Sequence, residues 1–234
     1  MTKYEIIPND TIEVEGKTLY RIRLTENHPR WGKAGTLGGY IESTQNLTGD
    51  AWVSDNTRVY GNADVFGDAW VYGNAEVSGD AHVYGNAEVS GDAWVYGKAR
   101  VSGDARVFDN ARVYDNARVY GNAEVSDYAR VSNYAHVLGD ARVFDDARVS
   151  DNARIFGNAW VFGDAYVSGD ARVYGDARVY DKAQIFGNAH VYGDALVFDD
   201  ARVYGNARVY DNARVCGDAY VYGDTNVSGN ACIS

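Results

Sequence analysis

From Leu47 onward an aliphatic residue returns every six positions, through Val53, Val59 and Val65, without a break to Ile233. Of these 32 positions 28 are valine; the others are Leu47, Ile155, Ile185 and Ile233. With the aliphatic residue as position one, position five is alanine in 29 of 31 cases, Thr57 and Thr225 being the exceptions. A six-residue apolar period does not keep one face of a helix at 3.6 residues per turn, so a helix is excluded. In a strand, positions five and one lie two apart and point the same way, as Ala63 and Val65 do, whereas Asp64 and Phe66 point oppositely. Positions three and four are nearly always Gly, Asp or Asn, residues that tolerate left-handed backbone and satisfy their own turns. Each hexad therefore predicts a short strand and a bend, and a period this strict marks a repeat architecture.

Stacked strand-and-bend units predict a parallel β-helix with coils about 4.8 Å apart. Alanine is small because it sits inside near a corner. Valine fills each wall, every buried copy contributing about 1.5–3 kcal/mol. The first 46 residues differ: YEII and TIEVEGKTLYRIRL alternate apolar and polar residues around Glu15-Gly16 and predict a β-hairpin. The expected organisation is a β-rich cap over residues 1–46 and a solenoid over 47–234. The last coil ends at Ile233-Ser234 without a polar cap, which leaves an open strand edge to be protected.

The pattern V-x-G-[DN]-A-x resembles the hexapeptide repeat of left-handed parallel β-helix proteins. The segments GKAGTLGGYIES (32–43) and NLTGDAWV (46–53) are similar to the opening of a bacterial group whose members are labelled acyltransferases or uncharacterised. The resemblance implies an all-β fold: a left-handed superhelix with three hexads per triangular coil, and hence about ten coils. It also implies a homo-oligomer, commonly a trimer, and, under the acyltransferase label, coenzyme A with sites between subunits.

A formal charge of −11 disfavours nucleic acid or an anionic membrane held by bulk electrostatics. No apolar run is long enough to span a bilayer, and MTKYEIIPND lacks the apolar region of a signal peptide, so a cytoplasmic location is expected. Cys216 and Cys232 form no disulfide framework, and by strand geometry their Cα atoms should stand about 8 Å apart, beyond bridging.

With eighteen residues per coil, the outward positions sort into three walls. The first carries His82, His136 and His190; the second, Trp52 and Trp70; the third, Arg58 and Trp94. Fourteen of 31 sixth positions are arginine and 19 of 32 second positions aromatic, so most coils pair a guanidinium with a ring. Most of this reads as a solvated ladder of strand formers. The exception is the second wall, where Phe144, Phe162, Tyr180 and Phe198 stack beside Trp160 and Leu196 with only Arg142 and Arg178 as charges. These six aromatic and aliphatic residues are the candidate binding surface, for a second copy or an unidentified protein.

His82, His136 and His190 are three coils apart, about 14 Å, too far to share a metal ion. Each is the residue an acyltransferase reading would use as base, but no loop leaves the coil to build a pocket around it. No metal site, catalytic residue or cofactor is otherwise indicated. The reading that results is a non-catalytic, rigid scaffold or binding surface. The alternatives are the coenzyme-A-dependent acyltransferase and, from charge alone, an acidic decoy of a nucleic-acid-binding protein.

Overall fold

The structure, a computed structural model, describes residues 3–234. Three hairpin-scale strands come first: β1 (Tyr4–Val14), β2 (Lys17–Leu24) and β3 (Leu37–Ile41). Strands β1 and β2 pair antiparallel across the Glu15-Gly16 turn, whose φ values of 50° and 76° require the left-handed region. Strand β3 pairs antiparallel with β2 on one edge and parallel with Arg58–Val59 on the other, Ile41 lying opposite Val59. The paired residues are eighteen apart in sequence, so the coil register reaches back through Leu47 to Ile41.

From Trp52–Val53 onward every hexad contributes one short strand made of its sixth and first positions, such as His82–Val83, prolonged to the third position in Arg118–Gly121 and His136–Gly139. Each pairs in parallel with the strand eighteen residues on, Glu88 with Arg106 and Val89 with Val107, throughout the solenoid. The strands form three sheets. The second wall holds eleven strands and the first ten, to which the bridge between Leu47 and Val65 adds a layer. The third wall runs on through β3 and β2 to β1. The result is an all-β parallel solenoid of about eleven turns, close to the length the period predicts, the extra layer coming from β3 and the Leu47 bridge.

Inside, the valines and alanines form one continuous column, and from Val65 to Val215 all are fully buried. The hydrogen-bond ladder follows one rule: amides at positions six, two and four donate to carbonyls seventeen residues ahead, as Trp70 N to Ala87 O (2.9 Å), Tyr72 N to Val89 O (3.0 Å) and Asn74 N to Gly91 O (2.8 Å). Neighbouring coils thus satisfy the backbone that a lone hexad would leave bare.

The corners explain the Gly/Asp alternation. All third positions have positive φ, 56–59° at Asp or Asn and 61–76° at Gly. Where Asp stands there, its carboxylate accepts from the corner amide of the next coil, as Gly73 N to Asp55 Oδ2 (3.0 Å) and Gly217 N to Asp199 Oδ2 (3.0 Å). Fourth positions form a second ladder, Asn62 donating to Asp80 (2.9 Å) and Asn122 to Asp140 (2.9 Å).

The N-terminal strands are tied to the first coils by polar contacts, one of them fully buried. Tyr4 Oη donates to Leu47 O (2.9 Å), and burial pushes its pKa up to about 12. Trp31 Nε1 donates to Asp50 O (2.8 Å), Arg21 to Asp55 O (2.7 Å), and Lys17 pairs with Glu42 (2.7 Å). The Lys17 ammonium and the Gly61 amide hold Glu42 below the usual carboxylate range.

Candidate functional site

The outward residues are positions six and two, so every wall is a pair of vertical ladders one coil spacing apart. On the second wall Phe144, Phe162, Tyr180 and Phe198 stack in sequence, centroids 4.8, 4.9 and 5.0 Å apart and planes within 7°. Trp160 meets the edge of Phe144 at 6.1 Å and carries a guanidinium on each side, Arg142 at 5.5 Å and Arg178 at 5.0 Å. Leu196 continues that row next to Arg178 and Arg214. All six candidate residues are half-buried, because stacking covers the ring faces and leaves the edges outward. Arg142 is further engaged by Glu124 at 3.3 Å.

The first wall has an equally regular stack, Phe156, Tyr174, Tyr192 and Tyr210, spaced 4.7–5.0 Å. Its neighbouring row is charged: Arg154, Arg172, His190 and Arg208 are successive strand partners. His136 is partnered by Arg118 and Arg154 in the same way. Burial, then the two flanking guanidiniums, lower the pKa of both His136 and His190 from 6.5. Each imidazole packs edge-on against a ring, His82 on Phe66 at 6.4 Å, His136 on Tyr120 at 6.1 Å and His190 on Tyr174 at 6.2 Å. No carboxylate or hydroxyl hydrogen-bonds any of the three rings among the described residues, and no cluster of three potential metal ligands occurs there.

These edge-on pairs reveal a contact the sequence reading did not anticipate. A second-position side chain meets the sixth-position side chain sixteen residues ahead, across the diagonal. Tyr60 Oη pairs with Glu76, Trp70 Nε1 donates to Ser54 Oγ (3.2 Å), and Ser150 Oγ and Tyr166 Oη lie 3.1 Å apart. Cys216 and Cys232 occupy such a diagonal, so their side chains are neighbours; both are free thiols. Burial and the adjacent Cys232 push the Cys216 thiol up.

The most exposed aromatic side chains lie elsewhere. Tyr128 and Tyr134 are 60% and 61% exposed, at the two corners that flank Arg130–Val131 on the third wall. The signal was in the sequence, since SDYA and SNYA place tyrosine at position four, where only Lys98 and Lys182 otherwise replace Asp or Asn.

The YdcK beta-solenoid repeat family model matches residues 99–115, 111–127, 147–163, 183–199 and 201–217, about a third of the chain and all within the solenoid. No curated protein matches the chain. No helix among the described residues is long and apolar enough to cross a membrane.

Proposed function

We propose that this β-solenoid repeat protein is a non-catalytic, rigid scaffold or binding surface that self-associates side by side through its second wall. The observation that carries the reading is the stack Phe144–Phe162–Tyr180–Phe198 beside Trp160 and Leu196. The first wall has the same ring ladder, but its adjacent row is arginine and histidine, costly to desolvate against another protein. On the second wall the row next to the rings is half apolar, and its two arginines already lie over Trp160. A ridge of flat edges on a rigid frame loses little side-chain entropy when covered. The homo-oligomer, a trimer by resemblance, is the occupant we assign to it, within the cytoplasm.

Sedimentation of the wild-type chain should show an oligomer. Phe162→Asp combined with Phe198→Asp should give a monomer with an unchanged β-sheet circular dichroism spectrum, because neither residue enters the valine core. A monomeric wild type, or an oligomer that survives both substitutions, overturns the reading.

A second reading, coenzyme-A-dependent acyl transfer between subunits, draws on the first wall. There His136 and His190 sit between stacked guanidiniums, which lower their pKa and so favour a neutral imidazole able to accept a proton. Calorimetry with acetyl-coenzyme A separates the two readings. Saturable binding lost on His136→Gln or His190→Gln supports acyl transfer, and no heat of binding supports the scaffold.

A further inference from the structure

The third wall has a gap in its ring ladder. Tyr96 and Tyr114 stack at 5.0 Å, and Phe186 and Tyr204 at 4.8 Å, but Ser132, Ser150 and Ser168 occupy the three coils between. From Tyr114 to Phe186 is four coil steps, about 19 Å at strand spacing. The ring ladder is therefore interrupted, and the Tyr114 ring lines a trough that opens over Ser132 and Ser150.

The trough is a groove of about 700 Å³. Its floor carries the guanidiniums of Arg130 and Arg148 and the Gln184 amide; its rims carry Asp115 and Asp151 on one side, Asp146 and Asp164 on the other. Tyr166 spans the floor, its hydroxyl 3.1 Å from Ser150 Oγ and its ring 38% exposed. Beside Ser132, both corners of the coil hold the outstanding tyrosines Tyr128 and Tyr134.

We propose that this groove binds a neutral oligosaccharide of a few sugar units lying along the solenoid axis. A pyranose offers apolar C–H faces to aromatic rings and hydroxyls that both donate and accept, and the groove holds the complement of each. Its carboxylates accept from hydroxyls, its guanidiniums and amide donate to them, and its tyrosines present ring surface. Four carboxylates in a chain of net charge −11 repel a polyanion, and the two guanidiniums among them set donors beside acceptors, the mixture that a neutral polyhydroxyl ligand can satisfy at both kinds of group. The site lies on a different wall from the self-association ridge and does not depend on it.

Cellohexaose, maltohexaose, chitohexaose and xylohexaose, titrated by calorimetry, test the proposal, with trigalacturonate and tetralysine as charged comparators. At least one neutral hexaose should bind. Ser150→Tyr should weaken that binding roughly tenfold or more by restoring in the gap the ring that Tyr114 supplies two coils earlier. Tyr166→Ala should weaken it too without adding bulk. Melting curves matching wild type show that both variants fold; Tyr at position two is what the repeat already carries on neighbouring coils. Binding of none of the neutral sugars, binding of the charged comparators alone, or binding indifferent to both substitutions overturns the proposal.

Discussion

A single corner glycine carries two separate constraints, and the stack separates them. Gly91 has φ +68°, and a Cβ there would stand 2.8 Å from Asp109 N and 2.9 Å from its Cα, backbone atoms that cannot swing aside. Gly223 has φ +64° but meets nothing within 4 Å. Both alanine variants incur the left-handed penalty of about 1–2 kcal/mol, but only Gly91→Ala adds a backbone collision. Denaturant unfolding should therefore show Gly91→Ala clearly less stable than Gly223→Ala. Equal losses would mean that conformation alone, and not the coil spacing, sets the requirement for glycine. Aspartate is tolerated at the same position because its carboxylate captures the next coil's amide, as Asp211 does with Gly229 N at 3.1 Å.

At the scale of the strand, the unit is two residues long and is defined by its neighbours eighteen residues away. A consequence is that like charges stack: Arg118, His136 and Arg154 are successive partners on the first wall, as are Arg172, His190 and Arg208. The folded chain therefore binds a proton at either histidine less readily than the unfolded chain, whose histidines titrate near 6.5. Below that value the unfolded state takes up more protons, so stability is lost as the pH is lowered; above it the contribution is fully present. Replacing both residues, His136→Gln with His190→Gln, should flatten the dependence of unfolding free energy on pH between about 5.5 and 7. NMR titration of the wild type should place both imidazoles below the ordinary histidine range. An unchanged slope, or midpoints at or above that range, would contradict the stacked-arginine account.

For the whole molecule, stability is a sum of identical layers rather than a closed core. Deleting residues 103–120 removes one complete coil and joins Ser102 to Gly121, keeping every later side chain on its own wall. That variant should melt cooperatively and be one layer shorter by small-angle scattering, about 4.8 Å. Deleting only residues 103–108 should also leave a folded solenoid, because all three walls share the same valine and alanine core. It would instead turn everything downstream by one wall and break ladders that cross the junction, Tyr96–Tyr114 among them. Loss of folding in the six-residue deletion would show that the walls are not interchangeable. The N-terminal strands stand outside this equivalence, since Tyr4, Trp31 and Arg21 anchor them to particular carbonyls of the first coils.

The core letters and the corner letters could be read from the chain because strand and bend impose their periods on every hexad: alanine and valine inward, Gly, Asp or Asn at the turn. The hairpin around Glu15-Gly16 was legible for the same local reason. The composition of each wall followed once eighteen residues were assigned to a coil, so the six residues of the second-wall ridge could be named in advance. What depended on three-dimensional neighbours could not be read this way. The extension of the register back to Ile41 required β3 to pair with Arg58–Val59 across a segment with no repeat motif. The diagonal contacts, including the one that makes Cys216 and Cys232 neighbours, arise from side chains leaning between coils, which Cα spacing along a strand does not convey. The groove beside Tyr114 exists because serines at second positions on successive coils, eighteen residues apart, happen to stack where neighbouring coils carry rings. Periodicity determines what every coil has in common; the vertical stacking of their differences decides where the surface departs from it.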